Sequence, residues 1–373
     1  MKLYEHETKE LLKSYGVRVP GKKGERYVVK AQVLAKDRKK HGGIEFADSL
    51  KDAENKASEM KGKKVNNHEV KDVLVEKRVK HSKEYYVSFV YDTDVRSPVI
   101  IFSKEGGTGV ENREIHKTVL KDLESWKIRQ FLKEIGISSE ELNPLTKTLY
   151  KMLKCFFEED ARMLEANPLA KTEKGFTVLD ASIELDEDAA YRHERNYAER
   201  TGFGREKTER EKQVQKIDEE DHRGIAGKYT ELNGDIGMML AGGGASLTNM
   251  DALIQYGGRP ANYMEYGGNP PTEKLYKLSK IVLSKPGLKG VWHVGGTANN
   301  TDIYRTMKGF CQALEEIKPK YPIVIRRDGP NADKAFKLLE ETKEKHNLNM
   351  KLYRNDTTMT ETAKTLMEMI ENE

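Results

Sequence analysis

Three short segments in the carboxyl-terminal half of the sequence place glycine-rich or polar turns directly after apolar runs of strand length. They are AGGGAS at 241–246, GGTANNTD at 295–302 and IRRDGPN at 325–331. Glycine lets the backbone approach a ligand closely, and the free N–H groups at the start of a following helix attract anions. The turns therefore predict a site for a polyanionic small molecule, without naming a reaction.

The second and third turns also contain side chains that donate hydrogen bonds. Four residues of the second turn are able to bond either the amide groups of the following helix or a ligand: Thr297, Asn299, Asn300 and Thr301. In the third turn, one arginine would be structural, whereas the adjacent pair Arg326 and Arg327 favours an anionic substrate, because a guanidinium group matches a carboxylate bidentately. His293 precedes the second turn and is interpreted as a strand residue rather than a catalytic base.

A hairpin in the amino-terminal half brings a second set of polar residues together. With its turn between Glu173 and Lys174, this hairpin places Asn167 opposite Asp180, and Glu165 lies two residues along on the same face. Cross-strand neighbours lie about 4.5–5.5 Å apart at Cβ, so the Asn167 carbonyl and the Asp180 carboxylate would share one hard cation. The alternative is the polar outer face of a half-exposed hairpin.

Lys30 interrupts the β-branched run YVVKAQVL at 27–34. The pattern alone leaves open whether this lysine faces solvent on an edge strand or has a function within a buried strand. The basic loop that comes next, at 36–43, ends in two glycines. Such a loop suits a flap over phosphates, and a solvated run of charges is the alternative.

The elements that position these residues fall into two groups. The amino-terminal half predicts a helix at 3–15, neighbouring antiparallel strands at 73–79, 84–92 and 98–107, and a long helix that begins near Ser138. Farther along, strand, glycine turn and helix alternate, which predicts a doubly wound parallel sheet with its ligand at the carboxyl ends of the strands. We therefore expect domains at 1–190 and 233–373, joined by a charged connector at 191–232.

Composition excludes several classes of protein. A chain of 373 residues suggests two or three domains. Lys+Arg 65 nearly balance Asp+Glu 61, and no basic block is interleaved with aromatic residues, so nucleic acid is not an expected partner. No apolar run is long enough to span a membrane or to form a secretory signal, and we expect a cytoplasmic protein. Cys155 and Cys311 are expected to be reduced core residues.

Ordered segments along nearly the whole chain resemble the β-subunit family of succinyl-CoA synthetase. They include LYEHETKELLKSYGVRVP, VVKAQV, LVEK, KEYYV, EANPLAKTEKGFTVLDASIELDEDAAYRH and GGRPANYMEYGG. The resemblance implies an α/β fold with an ATP-grasp domain followed by a flavodoxin-like domain. The first ATP-grasp subdomain would be shortened near 20–27, where the family has roughly another strand and helix.

The resemblance also implies roles for six residues of the amino-terminal half. Lys30, Glu76 and Glu84 would bind the nucleotide, Asn167 and Asp180 would hold Mg²⁺, and Glu165 would face a phosphohistidine as the catalytic residue.

Five further segments are similar to the citrate-using branch, the ATP-citrate lyases and citryl-CoA synthetases: FGRE at 203–206, LAGGGAS at 240–246, NYMEYGG at 262–268, GGTANNTD at 295–302 and RRDGPN at 326–331. The resemblance implies that citrate binds Gly243, Gly244, Ala245, Ser246, Gly267, Gly268, Asn299, Asn300, Thr301 and Arg327. Succinate enzymes usually have a single arginine in the last segment, so Arg327 would provide a partner for a carboxylate that succinate lacks.

The function implied by the resemblance is a phosphoryl relay from ATP, with Mg²⁺, through a histidine to citrate, and then to citryl-CoA. None of the 9 histidines lies in a loop that resembles the family's phosphorylated one. A CoA-binding, α-like partner subunit would therefore supply it, and this chain would be active only in a hetero-oligomer. Two alternatives stay open: a succinyl-CoA synthetase β subunit, and a non-catalytic regulatory subunit. Whether citryl-CoA is then cleaved in the same complex is also open.

Overall fold

The chain forms two compact units, Met1–Glu206 and Lys207–Glu373. The computed structural model describes residues 1–35, 38–194, 197–198, 200–201, 205–221, 223–224 and 228–372. Two stretches of interest are therefore only partly covered: Phe203 and Gly204 of the FGRE segment and Lys36 and Asp37 of the basic loop lie outside the described residues.

The first unit contains a helix, a small sheet, a larger sheet and two further helices. Its elements in chain order are α1 (Glu5–Ser14), β1 (Tyr27–Ala31), β2 (Ile44–Ala47), α2 (Leu50–Met60), β3 (Lys64–Val65), β4 (His68–Glu69), β5 (Val73–Lys77), β6 (Lys83–Asp92), β7 (Ser97–Ser103), a 3₁₀ helix (Val110–Asn112), β8 (His116–Val119), α3 (Ser125–Glu134), α4 (Ser139–Glu158), β9 (Ala161–Thr172), β10 (Gly175–Val178), β11 (Ala181–Leu185) and a second 3₁₀ helix (Ala190–Arg192). No helix or strand lies between α1 and β1, a stretch that the structure describes throughout.

The small sheet has the order β2-β1-β5, with both pairings antiparallel. Its apolar face packs with α2 around Val29, Ala31, Ala53 and Met60. Because β1 is the central strand, every side chain on it is flanked by neighbouring strands.

The larger sheet has the order β10-β9-β6-β7-β8, and β11 also pairs with β9. Its core packs against α1, α3 and α4, whose apolar residues include Leu12, Ile128, Leu149 and Phe156. The predicted pairing of β6 with β7 is confirmed. The prediction that the strand at 73–79 neighbours them is wrong, because that segment is β5 and pairs with β1 in the small sheet.

The second unit is a six-stranded sheet with helices between its strands. Its elements are α5 (Glu209–Glu220), β12 (Lys228–Glu231), β13 (Ile236–Ala241), α6 (Gly243–Gln255), β14 (Asn262–Tyr266), α7 (Thr272–Leu283), β15 (Gly290–Thr297), α8 (Ile303–Ile317), β16 (Ile323–Asp328), α9 (Ala332–His346), β17 (Met350–Tyr353) and α10 (Met359–Glu371). The order is β12-β14-β13-β15-β16-β17, and every pairing is parallel except that of β12 with β14.

The order of these strands fixes where a ligand would bind. β13 lies between β14 and β15, so the chain passes to one side of β13 first and to the other side afterwards. In an open parallel sheet, the crevice at such a reversal, beside the carboxyl ends of the strands, is the usual ligand site. The predicted doubly wound parallel sheet is confirmed, with one antiparallel edge strand added. That edge strand and α5 come from the segment expected to be a connector.

The described residues contain neither a membrane-spanning helix nor a disulfide bond. No helix among them is long and apolar enough to cross a membrane. Cys155 and Cys311 are both buried free thiols, and burial raises the pKa of both, that of Cys311 to about 12. Neither thiol is therefore a thiolate at neutral pH.

Candidate functional site

The hairpin of the first unit has the predicted register. Gly175 pairs with Thr172, which leaves Glu173 and Lys174 in the turn. The amide of Asn167 donates to the carbonyl oxygen of Asp180 at 3.0 Å, so these two residues lie opposite each other. The side chains of a strand alternate between its two faces, so this register brings both residues to one place. The prediction that Asn167 and Asp180 are cross-strand neighbours is confirmed.

Glu165 lies on the same strand, opposite Ser182. The phenol of Tyr86 donates to Glu165 Oε2 at 3.1 Å. Burial and the Glu165 carboxylate raise the pKa of Tyr86 to about 12, so the phenol keeps its proton and continues to donate at neutral pH. Tyr86 therefore orients the carboxylate that the resemblance places at the phosphohistidine.

Asn167 and Asp180 each have a partner within the unit. Asn167 Oδ1 accepts a hydrogen bond from the amide of Gly107 at 2.6 Å. Both carboxylate oxygens of Asp180 accept from Arg38 Nη2 at 3.0 Å. Arg38 belongs to the described part of the basic loop and also donates to the Ala31 carbonyl oxygen.

Asp180 remains an acidic site that favours further positive charge. Burial and the nearby Glu5 carboxylate raise its pKa above the usual range, although Arg38 and Lys30 act in the opposite direction. Oxygen atoms from one amide and one carboxylate suit Mg²⁺, which keeps water or phosphate oxygens as its other ligands. Among the described residues, no cluster of three or more His, Cys, Asp or Glu side chains could hold a metal ion. The pair therefore fits a partial ligand set for a phosphate-bound cation, and not a complete protein cage.

Lys30 lies in the central strand of its sheet and is 6% exposed. Its ammonium donates to Glu5 Oε1 and to the Leu179 carbonyl oxygen, each at 2.6 Å, and lies 2.7 Å from Glu76 Oε1. The interpretation of Lys30 as a solvent-facing lysine of an edge strand is wrong. Although burial disfavours the charged form, Glu5 and Asp180 raise the pKa of Lys30 above its usual range.

Glu76 and Glu84, the other two expected nucleotide-binding residues, have different surroundings. Glu76 is buried, and Lys9 binds both of its carboxylate oxygens, at 2.7 and 2.8 Å. Glu84 is partly exposed on β6 and its carboxylate lies 2.8 Å from His81 Nε2. The structure thus joins Glu76 to Lys30, and gives Glu84 a separate, solvent-accessible partner.

Sequence reasoning missed three members of this cluster: Glu5, Lys9 and Arg38. Glu5 Oε2 accepts from Arg38 Nη2 at 2.6 Å, and Glu5 Oε1 accepts from Lys9 at 2.6 Å. Burial opposes ionisation of Glu5, but Lys30, Lys9 and Arg38 hold the pKa of its carboxyl well below the usual range. The sequence did contain one signal for two of them, because Glu5 and Lys9 lie four residues apart on α1. That spacing usually marks an ion pair on the surface of a helix.

In the second unit, the candidate anion-binding turns lie at one edge of the sheet. The parallel strands β14, β13, β15 and β16 are neighbours in that order, and a predicted turn comes after each of them. Their carboxyl ends therefore bring together the turns at 242–246, 267–268, 297–301 and 329–331. The segments predicted to form one polyanion site are thus assembled at one place.

The first of these turns is open backbone. α6 begins at Gly243 after Gly242, whose φ of +108° favours glycine, and no side chain caps the helix. A Cβ added at Gly243 or Gly244 would meet no atom within 4 Å. Ser246 is buried and its hydroxyl donates to the Gly242 carbonyl oxygen at 3.1 Å, so its side chain is used inside the helix. The first-turn amides of 243–245 are the groups that would face a ligand.

The glycines after β14 contribute a second stretch of open backbone. Gly268 has a φ of +62°, and a Cβ added at Gly267 would meet no atom within 4 Å. The next residue, Asn269, accepts a hydrogen bond from the amide of Asp302 at 3.1 Å. This contact ties the turn after β14 to the turn after β15.

The turn after β15 contains polar side chains that are not needed to cap the helix that follows. Asp302 caps α8, because its carboxylate accepts from the amide of Arg305 at 3.0 Å. Helix capping therefore does not require Asn299, Asn300 or Thr301. Within the described part of the chain these three side chains have no hydrogen-bond partner, and both asparagines are exposed. They are available donors and acceptors for a ligand.

The two adjacent arginines of β16 point to opposite faces of the sheet and have different roles. Arg326 donates from Nη1 to the Gly295 carbonyl oxygen at 2.9 Å and from Nε to the Thr357 carbonyl oxygen at 3.1 Å. Arg327 is 2% exposed, its Nε has no hydrogen-bond partner within the described chain, and its Nη1 lies 3.5 Å from the Gly296 carbonyl oxygen. Arg326 is therefore structural, whereas Arg327 is a buried cation without a carboxylate partner among the described residues.

Arg327 is packed against a buried aromatic pair. Its guanidinium carbon lies 5.7 Å from the centre of the Tyr266 ring. The Tyr266 hydroxyl lies 2.7 Å from Nε2 of His293, which also packs edge-on against Phe310. Burial and the positive charge of Arg327 hold the pKa of His293 well below its usual range, so this histidine is neutral. A fully buried histidine with a depressed pKa is a weak base, which agrees with the interpretation of His293 as a strand residue rather than a catalytic base.

Gly295 makes room for this arrangement. A Cβ at position 295 would lie 2.0 Å from Arg327 Nη1 and 2.7 Å from the Ala241 Cβ. Any side chain there would displace the guanidinium group. The GG of the GGTANNTD segment is therefore explained in part by packing against Arg327.

Comparison with known proteins identifies both halves of the chain. The family of ATP-grasp domains matches residues 21–171, and the family described as ATP citrate lyase citrate-binding matches residues 205–369. The β subunit of ADP-forming succinate–CoA ligase from Methanocaldococcus jannaschii is 34% identical over 366 residues, which cover 91% of this chain and 94% of that protein. The corresponding subunit from Rubrobacter xylanophilus is 31% identical over 370 residues, covering 91% of this chain and 93% of that protein.

The chain belongs to the family of succinate–CoA ligase β subunits. Its fold is also that of a solved structure, ATP citrate lyase from Methanothrix soehngenii in complex with citrate and coenzyme A, with a TM-score of 0.81 and 24% identity over 98% of this chain and 99% of that one. Membership in this ligase family confirms the ATP-grasp domain and the parallel-sheet domain that the resemblance predicted. The buried cluster around Lys30 lies in the first of these domains, and the carboxyl edge with Arg327 lies in the second.

Proposed function

We propose that this chain is the nucleotide-binding subunit of an ATP-dependent acid–CoA ligase that activates citrate. The observation that carries the proposal is Arg327, a buried guanidinium without a carboxylate partner in the described chain, at the edge where Asn299, Asn300 and Thr301 also lack partners. A buried charge is costly unless a counter-ion binds it, so this edge favours an anion. The match of residues 205–369 to the citrate-binding family supports citrate as that anion.

Citrate suits this edge better than a dicarboxylate does. It carries three carboxylates and a hydroxyl, and the edge offers one buried guanidinium, two carboxamides, a threonine hydroxyl and open amides at the start of α6. A carboxylate bound by Arg327 and the α6 amides leaves donors on the turn after β15 for the remaining groups. A smaller acid would leave several of these donors without a partner.

The proposed reaction is a relay of one phosphoryl group. The γ-phosphoryl of ATP is transferred to a histidine nitrogen of the partner subunit, and ADP leaves. The P–N bond then breaks as a citrate carboxylate oxygen attacks phosphorus, giving citryl phosphate. The CoA thiolate attacks the acyl carbon, so a C–S bond forms and inorganic phosphate leaves as citryl-CoA is made.

The residues of this chain would act in the relay by positioning and neutralising charge. Lys30 and Arg38 would neutralise phosphate oxygens, and Glu84 would bind the nucleoside. Glu165, oriented by Tyr86, would accept a hydrogen bond from the partner's histidine and hold it for phosphorylation. Asn167 and Asp180 would hold Mg²⁺, which when bound would neutralise negative charge on the phosphates.

We infer that the active protein is a hetero-oligomer with an α-like subunit that carries the phosphohistidine and most of the CoA site. Support comes from membership in a family whose relatives are β subunits. His293, on the strand that leads to the carboxyl edge of the second unit, is buried and neutral and does not suit the role of the phosphorylated histidine.

A discharge experiment tests the proposal. The complex is phosphorylated on the partner with γ-labelled ATP, freed of nucleotide, and then mixed with citrate or succinate in the absence of CoA. We expect citrate to remove the label from the protein within one turnover and succinate to leave it in place. Discharge by succinate with no response to citrate would overturn the proposed substrate.

Succinate is the second candidate, and a specific observation favours it: the 34% identical relative from Methanocaldococcus jannaschii is a succinate–CoA ligase subunit. The two candidates differ at the carboxyl edge of the second unit and share the ATP-grasp chemistry. The discharge experiment distinguishes them without any variant.

The remaining alternative, a regulatory subunit that does not bind ATP, is tested by a simpler measurement. We expect ATP with Mg²⁺ to bind the wild-type complex and to bind Asp180→Ala at least about tenfold more weakly, because a charged ligand of the cation is lost. Absence of binding in both proteins would overturn the enzyme assignment.

A further inference from the structure

The ammonium groups of Lys9 and Lys30 share the same three acceptors. Lys9 Nζ lies 2.6 Å from Glu5 Oε1, 2.7 Å from Glu76 Oε1 and 2.7 Å from the Leu179 carbonyl oxygen. Lys30 Nζ lies 2.6, 2.7 and 2.6 Å from the same three atoms. An ammonium group has three N–H donors, so either lysine alone could occupy all three acceptors. Each of the three acceptors would therefore still have an N–H donor if one of the two lysines turned away.

The cluster is balanced only when both lysines are counted. Its three cations are Lys9, Lys30 and Arg38, and its three carboxylates are Glu5, Glu76 and Asp180. The side chains of Lys9, Lys30, Glu5 and Glu76 are each no more than 8% exposed. Leaving a buried carboxylate without a cation is strongly unfavourable. If one lysine turns to another anion, the other lysine has to stay.

The contacts indicate which lysine stays. Lys9 donates hydrogen bonds to both oxygens of Glu76, at 2.7 and 2.8 Å, whereas Lys30 forms an ion pair with Glu76 Oε1 at 2.7 Å that lacks hydrogen-bond geometry. Arg38, which binds Asp180 at 3.0 Å, also donates to the carbonyl oxygen of Ala31, the residue after Lys30. Lys30 is thus linked to the residue proposed to hold the phosphate-bound cation, and Lys9 is the more firmly bound of the two lysines.

We propose that Lys9 is a positioning residue for nucleotide binding: it keeps Glu5 and Glu76 neutralised so that the Lys30 ammonium is free to turn to the phosphates of ATP. This inference rests on the proposed function, in which Lys30 binds ATP. Helix α1 then has a part in the nucleotide site through Lys9, although Lys9 itself does not contact the nucleotide. In Lys9→Met, Lys30 would be retained by the two carboxylates.

The test compares binding of two probes to the complex of this chain with its partner subunit. ATP with Mg²⁺ reports on the phosphate contacts, and adenosine reports on the rest of the site. We expect Lys9→Met to weaken ATP binding at least about tenfold and to leave adenosine binding unchanged. The reason is that this variant loses only the contact between the Lys30 ammonium and the phosphates. Lys30→Met is the reference variant and should show the same selective loss.

A second variant separates positioning from folding. In Glu5→Gln combined with Lys9→Met, one of the two carboxylates that retain Lys30 is neutral, so ATP affinity should recover at least about threefold relative to Lys9→Met. This double variant also keeps the charge balance of the cluster, and it provides the comparison if Lys9→Met alone fails to fold. In that case, ATP binding closer to wild type than to Lys30→Met is expected.

Three other outcomes would overturn the inference. Wild-type ATP affinity in Lys9→Met would overturn the inference, and so would an equal loss of adenosine and ATP binding, which would mark Lys9 as merely structural. Lack of recovery in the double variant would overturn it as well. If the wild-type complex itself did not bind ATP, the proposed function would fail too, which the Lys9 variants alone cannot cause.

Discussion

At the scale of single residues, Arg327 is proposed to determine which acid the second unit binds. Arg327→Met is expected to lower kcat/KM for citrate about 100-fold or more, because a site built to pair a carboxylate loses its buried guanidinium partner. The same change should leave the free energy of unfolding unchanged or raise it, since an unpaired buried charge is removed. Steady-state kinetics of the complex and thermal unfolding measure the two effects.

Arg326→Met is the matched control from the adjacent position. Its guanidinium donates to the carbonyl oxygens of Gly295 and Thr357, so its loss is expected to destabilise the protein by about 2 kcal/mol. Citrate kinetics in the folded variant should change much less than in Arg327→Met. Equal kinetic loss in both variants would contradict the division of roles between the two arginines.

His293 supplies a pH-dependent prediction. Its pKa is depressed by burial and by Arg327, so the folded protein takes up its proton at lower pH than the unfolded chain does. Its contribution to stability is therefore complete above the unfolded pKa of about 6.5 and is lost as the pH falls below that value. We expect the NMR spectrum of protein with isotope-labelled histidine to contain one ring resonance that is missing in His293→Leu. The chemical shift of that resonance should not change between pH 8 and pH 6. A midpoint near 6.5 for that resonance would refute a buried, neutral His293.

Residue chemistry was predictable where a short-range rule applied. Two turn residues and the period of a strand fixed the pairing of Asn167 with Asp180. The roles of Arg326 and Arg327 could not be separated in this way. The two side chains point to opposite faces of β16, and the whole sheet decides what lies on each face. Glu5 and Lys9 were missed because only the folded chain brings α1 to β1 and β5.

At the scale of elements, α4 is held to two strands through Glu141. This buried carboxylate lies 3.0 Å from Lys171 Nζ on β9, 3.2 Å from Lys83 Nζ on β6, and accepts from the Tyr85 hydroxyl at 3.1 Å. Burial opposes ionisation, but hydrogen bonds from Ser138, Lys171, Lys83 and Tyr85 lower the pKa of Glu141 to about 2.

Glu141→Gln is expected to destabilise the protein by about 2–3 kcal/mol at neutral pH, because the charge-assisted bonds of two lysines are lost. A depressed acid contributes stability above its unfolded pKa of about 4.3, and that contribution is lost as the pH falls towards 2. Thermal unfolding of wild type and variant should therefore differ at pH 7 and converge as the pH falls below 4. Glu140→Gln, on the exposed side of the same turn, is the control and should have little effect; equal destabilisation by both would contradict the role of Glu141.

Element types were easier to predict than their partners. The strand at 73–77 was found from its composition, but its pairing was not, since β5 and β6 are consecutive along the chain and yet lie in different sheets. The second unit was predicted more completely, because parallel strands that alternate with helices allow few arrangements.

At the scale of the whole molecule, the chain joins an ATP-grasp unit to a parallel-sheet unit, and the phosphorylated histidine of the relay is proposed to come from a partner subunit. We expect the isolated chain to bind ATP but to form no acyl-CoA, and activity to appear when the α-like subunit is added. To measure this activity, one purified subunit is titrated with the other and the release of ADP is recorded at each ratio. Acyl-CoA formation by the isolated chain would contradict the partner requirement.

The carboxyl edge of the second unit is proposed to select citrate over succinate. The most direct measurement is formation of acyl-CoA by the reconstituted complex with ATP, Mg²⁺ and CoA, in which citrate and succinate compete and the products are separated by mass. We predict citryl-CoA as the product, with a preference of at least about 100-fold in kcat/KM over succinate. Succinyl-CoA as the main product, with citrate unused, would contradict the account.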